Sequence, residues 1–139
     1  MTTASDYRAS STPRSDRADA FLDSLDAQDF AKLGTTLTAG ARLRALLPSG
    51  LREWTGSDVI AEQFARWFGS TQDFELVEST SGEVGNRLHM HWRLRLRAER
   101  LGTGWFTVEQ QAYAHVADSG RLAQLDLLCT GYLPEGHDA

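Results

Sequence analysis

The sequence predicts an α+β domain, with three N-terminal helices packed on a curved, mostly antiparallel sheet of four long C-terminal strands plus two short earlier ones. Apolar residues recur at helical spacing only within 16–68, whereas alternation of period two takes over from Phe74. The breakers "STSGEVG", "LGTG" and "DSG" then cut the second half into strand-length pieces. A run of helices followed by a run of strands segregates into layers, with the helices on one face of the sheet.

From Asp16, "DRADAFLDSLDAQDF" sets Phe21, Leu22 and Leu25 on one helical face and acids on the other. A second, short helix starts from Asp29 as N-cap and carries Phe30, Leu33 and Leu37 at helical spacing, weakened by Gly34. "ARLRALLP" and "GLREWTG" flank the turn Pro48-Ser49-Gly50 and read as the two short strands. "SDVIAEQFARWFG" is the third helix: Ser57 caps it, Asp58 and Glu62 sit near its positive end, and Gly69 stops it. Its apolar face is Ile60, Phe64, Trp67 and Phe68. Four long strands then form a meander.

The stretch "NRLHMHWRLRLRAE" at 86–99 assigns the faces of the sheet. Its even positions are Leu88, Met90, Trp92, Leu94 and Leu96, and its odd ones His89, His91, Arg93, Arg95 and Arg97. Burial of each apolar side chain is worth roughly 1.5 to 3 kcal/mol, so the even face turns inward by a margin on the order of 10 kcal/mol. On the next strand Phe106, Val108, Ala112, Ala114 and Val116 continue that face, with Gln110 its one polar member. Trp105, Thr107, Glu109, Gln111, Tyr113 and His115 face away. Matching faces allows the cross-strand pairs Trp92–Ala112, Met90–Ala114, Arg95–Glu109 and His89–His115. On the last strand Ala123, Leu125, Leu127 and Cys129 point inward and Gln124, Asp126 and Thr130 outward, with Leu128 an apolar exception.

At 139 residues the chain has room for one domain, expected over 16–134, with a disordered tail at 1–15 and a flexible one at 135–139. The net charge of −5 argues against general nucleic-acid binding, which needs a basic footprint. Cys129, the single cysteine, excludes an internal disulfide and a cysteine-cluster zinc site and suits a reducing compartment. No apolar run approaches the roughly 18 to 20 residues of a spanning helix, and the start lacks a secretory apolar core. The expectation is a cytoplasmic protein with no membrane partner. Lys32 is the only lysine among 14 basic residues, a bias that points to a GC-rich, bacterial genome.

Several residues invite a functional reading. His89, His91 and His115 could supply three nitrogen ligands, but His-x-His on a strand is a weak signal and no metal is expected. Together with Arg93, Arg95, Glu109 and Tyr113 they read instead as a solvated or dimer-forming outer face. Gln110 is either satisfied by a neighbour such as Arg44 or waits for a ligand carbonyl or hydroxyl. Phe21, Trp54, Phe64, Met90, Trp92 and Leu127, with Arg44 and Gln110, are the expected lining of a pocket for a small apolar organic molecule, and Trp67 and Phe68 could join its walls. Cys129 reads as an inert small hydrophobe.

The element order, the helix "RADAFLDSLDAQDFAKL", the strand "ARLRALLP", the capped helix "GSDVIAEQFARWF" and the closing "SGRLAQLDLL" together resemble the nuclear transport factor 2-like superfamily, in its SnoaL-like and ketosteroid-isomerase-like branches. The resemblance implies a cone-shaped fold, a pocket between the helices and the concave sheet, a homodimer and no cofactor. It also implies either isomerisation, cyclisation or dehydration of a polyketide-like or terpenoid-like substrate, or a non-catalytic ligand-binding or assembly role. Carried over by position, the chemistry of ketosteroid-isomerase-like members falls on Phe21, Leu47 and Ala112, and that of epoxide-hydrolase-like members on Trp92, Leu94 and Leu127, all apolar. The acid-histidine arrangement of SnoaL-like cyclases leaves Asp126 with His115 or His91. Gln110 and Asp126 are therefore the catalytic candidates, and an amide cannot be a general base. The direction in which Asp126 points decides between the two roles.

Overall fold

The computed structural model describes residues 16–135. The expected tail at 1–15, and all of the other one beyond Glu135, lie outside the described residues. Helix α1 (Asp16–Asp26) buries Ala18, Phe21, Leu22 and Leu25, the face its spacing predicts. It ends in a Schellman-type turn: Asp29 N–H donates to the Ser24 carbonyl and Gln28 N–H to that of Leu25, with Gln28 at φ 55°. Asp29 then caps α2 (Phe30–Thr35) by accepting from the Lys32 N–H at 3.1 Å. This helix is shorter than expected. Thr35 and Thr36 turn their hydroxyls back onto the carbonyls of Lys32 and Leu33, and Leu37 opens strand β1 (Leu37–Leu47) instead of a further helical turn. Gly34, a weak helix former, sits where an added Cβ would lie 3.2 Å from the Ala61 Cβ, so close packing of α2 on the next helix favours it.

Strand β1 is long, not short, and turns at Pro48-Ser49 into β2 (Gly50–Thr55). Helix α3 (Ser57–Phe68) follows with Gly56, not Ser57, as N-cap; the φ of 106° at Gly56 explains the displacement. The meander is β3 (Asp73–Val84), β4 (Arg87–Arg97), β5 (Phe106–Val116) and β6 (Leu122–Cys129). A two-residue β7 (Leu133–Pro134), which the sequence reading did not include, pairs with the start of β5 beyond the point where β6 ends. The sheet runs β2-β1-β6-β5-β4-β3 and is antiparallel except where β1 lies parallel to β6. Three helices on this curved, open, mixed sheet make the α+β architecture.

On β4 every even residue from Leu88 to Leu96 is buried and every odd one is partly or fully exposed. The core between helices and sheet is aromatic at its centre, where Phe21 meets Phe64 edge-on at 5.7 Å and Trp92 at 5.6 Å. The β4–β5 pairing is offset by two residues from the expected one: Trp92 lies opposite Gln110, Met90 opposite Ala112, Arg95 opposite Thr107 and His89 opposite Tyr113. The faces are unchanged, and the new register gives the Trp92 indole N–H a partner in Gln110 Oε1 at 2.9 Å. Three of the four β4 arginines lie opposite an acid of β3: Arg93 with Glu78, Arg95 with Glu75, Arg97 with Asp73; Arg87 lies opposite Val84. A bulge at Val77 shifts the phase of β3 so that both Glu75 and Glu78 reach the outer face. Glu135, expected in the flexible tail, accepts from Arg95 and from the Thr107 hydroxyl.

Candidate ligand-binding site

The space expected between helices and sheet is filled. Phe21, Phe64, Met90 and Trp92 are fully buried core residues, Leu127 is buried, and the half-buried Trp54 packs edge-on against Trp67 at 5.7 Å. Arg44 lies on the opposite face of the sheet, so it neither lines the pocket nor satisfies Gln110. Of the expected lining, Gln110 borders the apolar cleft that is open, together with Trp67 and Phe68.

That cleft, of about 470 Å³, lies at one end of the sheet. It exists because β6 stops at Cys129 while β5 continues, leaving a gap that the chain bridges by an excursion through Thr130, Gly131 and Tyr132 to β7. Trp67 and Phe68 from the end of α3 form one wall, Leu47, Pro48 and Ser49 of the β1–β2 turn another, and Cys129 to Leu133 a third. Val108 and Gln110 from β5 complete the lining. Gly131 is pressed against Pro48: an added Cβ would come within 2.8 Å of Pro48 Cγ, and its φ of 81° favours glycine independently.

The α3 wall is pinned at its C-terminus, where helix carbonyls lack internal partners. Arg100 donates to the carbonyls of Arg66, Trp67 and Gly69, Gln28 Nε2 donates to that of Phe68 at 2.8 Å, and the Tyr132 hydroxyl donates to that of Trp67 at 2.6 Å. Burial raises the Tyr132 pKa above its ordinary value, with Arg100 opposing, so the phenol stays a neutral donor. Trp67 and Phe68 were anticipated from their helical spacing. Pro48 and Ser49 were legible as a turn, but nothing local marks them, Leu47 or Gly131 as walls of a cleft, because the cleft arises from where strands end.

Gln110 is only 2 % exposed. Its Oε1 accepts from Trp92, whereas its Nε2 is the buried side-chain polar atom without a hydrogen-bond partner among the described residues. No carboxylate, imidazole, lysine or arginine side chain lines the cleft.

Asp126 points outward. Desolvation raises its pKa, but hydrogen bonds from Arg44 and Arg87, both at 3.0 Å, and from Gln124 outweigh that and hold it below the ordinary value. A carboxylate so held is a poor base, and it is separated from the cleft by the sheet. The remaining outer-face residues are engaged with one another. His91 lies 2.6 Å from Glu109, His89 lies 2.9 Å from Gln111 with its ring tilted against that of Tyr113 at 4.7 Å, and Arg95 covers the Trp105 ring at 3.9 Å. His115 is exposed. Among the described residues no group of three or more His, Cys, Asp or Glu side chains is placed to hold a metal ion, and no helix is long and apolar enough to cross a membrane. A second, more open groove of about 320 Å³ shares Leu47, Pro48, Gln110, Cys129 and Thr130 with the cleft and reaches His91 and Glu109.

No family model matches the sequence, and no curated protein matches it either. The fold does match solved structures. A Catenulispora acidiphila protein with a ketosteroid-isomerase-like fold, solved with trimethylamine, aligns over 82% of this chain and 85% of its own, with a TM-score of 0.65 at 13% identity. A candidate SnoaL-like polyketide cyclase from Shewanella denitrificans aligns over 81% and 87%, with a TM-score of 0.62 at 14% identity. A nuclear transport factor 2-like protein from Cytophaga hutchinsonii aligns over 93% and 94%, with a TM-score of 0.57 at 17% identity. The chain has the nuclear transport factor 2-like fold.

Proposed function

We propose that this protein binds a small, largely apolar organic molecule in the cleft between the end of α3, the β1–β2 turn and the β6–β7 excursion, and that it does so without acid-base chemistry of its own. The observation that carries this reading is Gln110: a buried amide with an unused donor, bordering an otherwise apolar cleft. An unpartnered buried polar group costs about 1 to 3 kcal/mol, which a ligand can recover. The solved neighbours are described as a polyketide cyclase candidate and a trimethylamine complex, in line with small organic ligands. Isomerisation, cyclisation or dehydration would need a proton acceptor in the cleft. Its lining holds no carboxylate or imidazole, His91 and Glu109 of the adjoining groove are paired with each other, and Asp126 lies across the sheet, so binding is favoured over catalysis. We further propose a cytoplasmic homodimer, with the outer sheet face forming the contact.

The test is a thermal-shift screen of hydrophobic ring compounds. A binder at a hundredfold excess over its Kd stabilises by about 2.7 kcal/mol, a rise of several degrees in Tm. It should also perturb the fluorescence of Trp67, which lines the cleft. No stabilisation by any such compound would overturn the reading.

A further inference from the structure

The orientation of the Gln110 amide is fixed by its neighbour. Trp92 lies directly opposite on β4, fully buried against Phe21, and its indole N–H can only donate. Gln110 must therefore present Oε1 to Trp92; the flipped amide would set two donors against each other and leave the oxygen buried and unused. What remains unused is Nε2, a neutral donor that cannot accept, buried in the wall of the cleft that Gln110 lines. Two of the other polar side chains of the cleft, Thr130 and Tyr132, are committed, and the third, Ser49, belongs to the β1–β2 turn. The Thr130 hydroxyl accepts from the Glu109 N–H and donates to the Gly131 carbonyl, and the Tyr132 hydroxyl donates to that of Trp67.

We propose that Gln110 is the specificity-determining residue of the cleft, selecting neutral apolar molecules that carry a bare acceptor oxygen, such as a ketone, quinone or lactone, over alcohols and amines of the same shape. The inference rests on the small-molecule reading above. An alcohol can accept from Nε2, but its own proton then needs a second acceptor in a largely apolar lining, which a ketone does not. A protonated amine brings donors and a charge to a lining without a carboxylate, and burying an unpaired charge is strongly unfavourable.

Four compounds of one shape test this by titration calorimetry on the whole chain: 1-tetralone, 1-tetralol, tetralin and 1-aminotetralin. The ketone should bind about tenfold tighter than tetralin, the worth of one hydrogen bond to a buried donor, with the alcohol weaker than the ketone and the amine weakest. Gln110→Met keeps the length and a weak sulfur acceptor for Trp92 but removes the donor. It should lower ketone affinity to that of tetralin and leave tetralin unchanged. Should that variant fail to fold, the side-chain amide resonances of Gln110 in the ¹⁵N-labelled native protein should shift with 1-tetralone and not with tetralin. Tetralin binding as tightly as 1-tetralone, with no such shift, would overturn the selectivity and leave the cleft a binding site. Binding of none of the four would remove the binding reading as well.

Discussion

Asp126 and Gln28 are two polar side chains whose partners come from distant parts of the chain. Asp126 joins β6 to Arg44 on β1 and to Arg87 on β4, so one carboxylate ties three strands together across the outer face. Because its folded pKa lies below the ordinary value of 3.8, its contribution to stability is fully present above the unfolded pKa and is lost as pH falls through the folded one. Asp126→Asn should therefore cost about 1 kcal/mol at neutral pH, and the difference from the native protein should shrink below about pH 4 in urea unfolding across a pH series. A gap that stayed constant to pH 2 would count against this account. Gln28 occupies the left-handed region at φ 55° while its amide bonds the Phe68 carbonyl and, at 3.0 Å, the Thr71 hydroxyl. Gln28→Ala should lose about 1 kcal/mol by leaving the helix carbonyl without that donor. Gln28→Gly should lose less, because relief of the backbone, worth about 1 kcal/mol, offsets the missing bond. Chemical denaturation of the two variants side by side orders them.

At the scale of elements, what could be read from the sequence is what is local. The alternation of β4 assigned the inner and outer faces of that strand correctly, because side-chain parity is a property of one strand, whereas the direction of Asp126 stays open on β6, where Leu128 blurs the alternation. The β4–β5 register was missed by two residues because parity is blind to such a shift; the preference of the Trp92 indole for the Gln110 oxygen became visible only with both strands in place. The cleft was missed for a related reason. It is formed where β6 stops short of β5 and the chain detours over Pro48, a long-range arrangement with no periodic signature. Gly131 is the hinge of that detour. Gly131→Ala imposes a Cβ on a left-handed residue and drives it into Pro48, so it should destabilise by on the order of 1 to 2 kcal/mol or more. If the β6–β7 excursion shapes the cleft, the same variant should weaken any binder found in the screen by more than its stability loss explains. Pro48→Ala, which removes the obstructing ring, should restore part of both in the double variant.

For the whole molecule, the question is what covers the outer face of the sheet. Its β3–β4 half is closed off by arginine-acid pairs, and the dimer contact expected there, through His89, His91, Arg93, Arg95, Glu109, Tyr113 and His115, would bury side chains already engaged with one another. The apolar surface lies further across, where register places Leu51, Leu46 and Leu128 side by side on β2, β1 and β6, each about half exposed or more, with Tyr113 beside them on β5. A row of exposed leucines running inward from the β2 edge of a sheet face is costly to leave in water and suits a two-fold contact, in which each copy presents the same patch. The four strands β2, β1, β6 and β5, of 6, 11, 8 and 11 residues and spaced by about 4.8 Å, present on the order of 600 Å², the lower end of the area per partner of a stable interface. We therefore expect a dimer centred on Leu46 and Leu128, with Asp126 and its arginines at its edge. Leu128→Arg should change the stability of the isolated chain by no more than about 0.5 kcal/mol, since that side chain is exposed, yet convert the dimer to monomer in sedimentation equilibrium. Arg93→Ala on the paired half should leave the dimer intact. A native protein that sediments as a monomer at high micromolar concentration, or a dimer indifferent to Leu128→Arg and broken by Arg93→Ala, would move the contact away from the leucines.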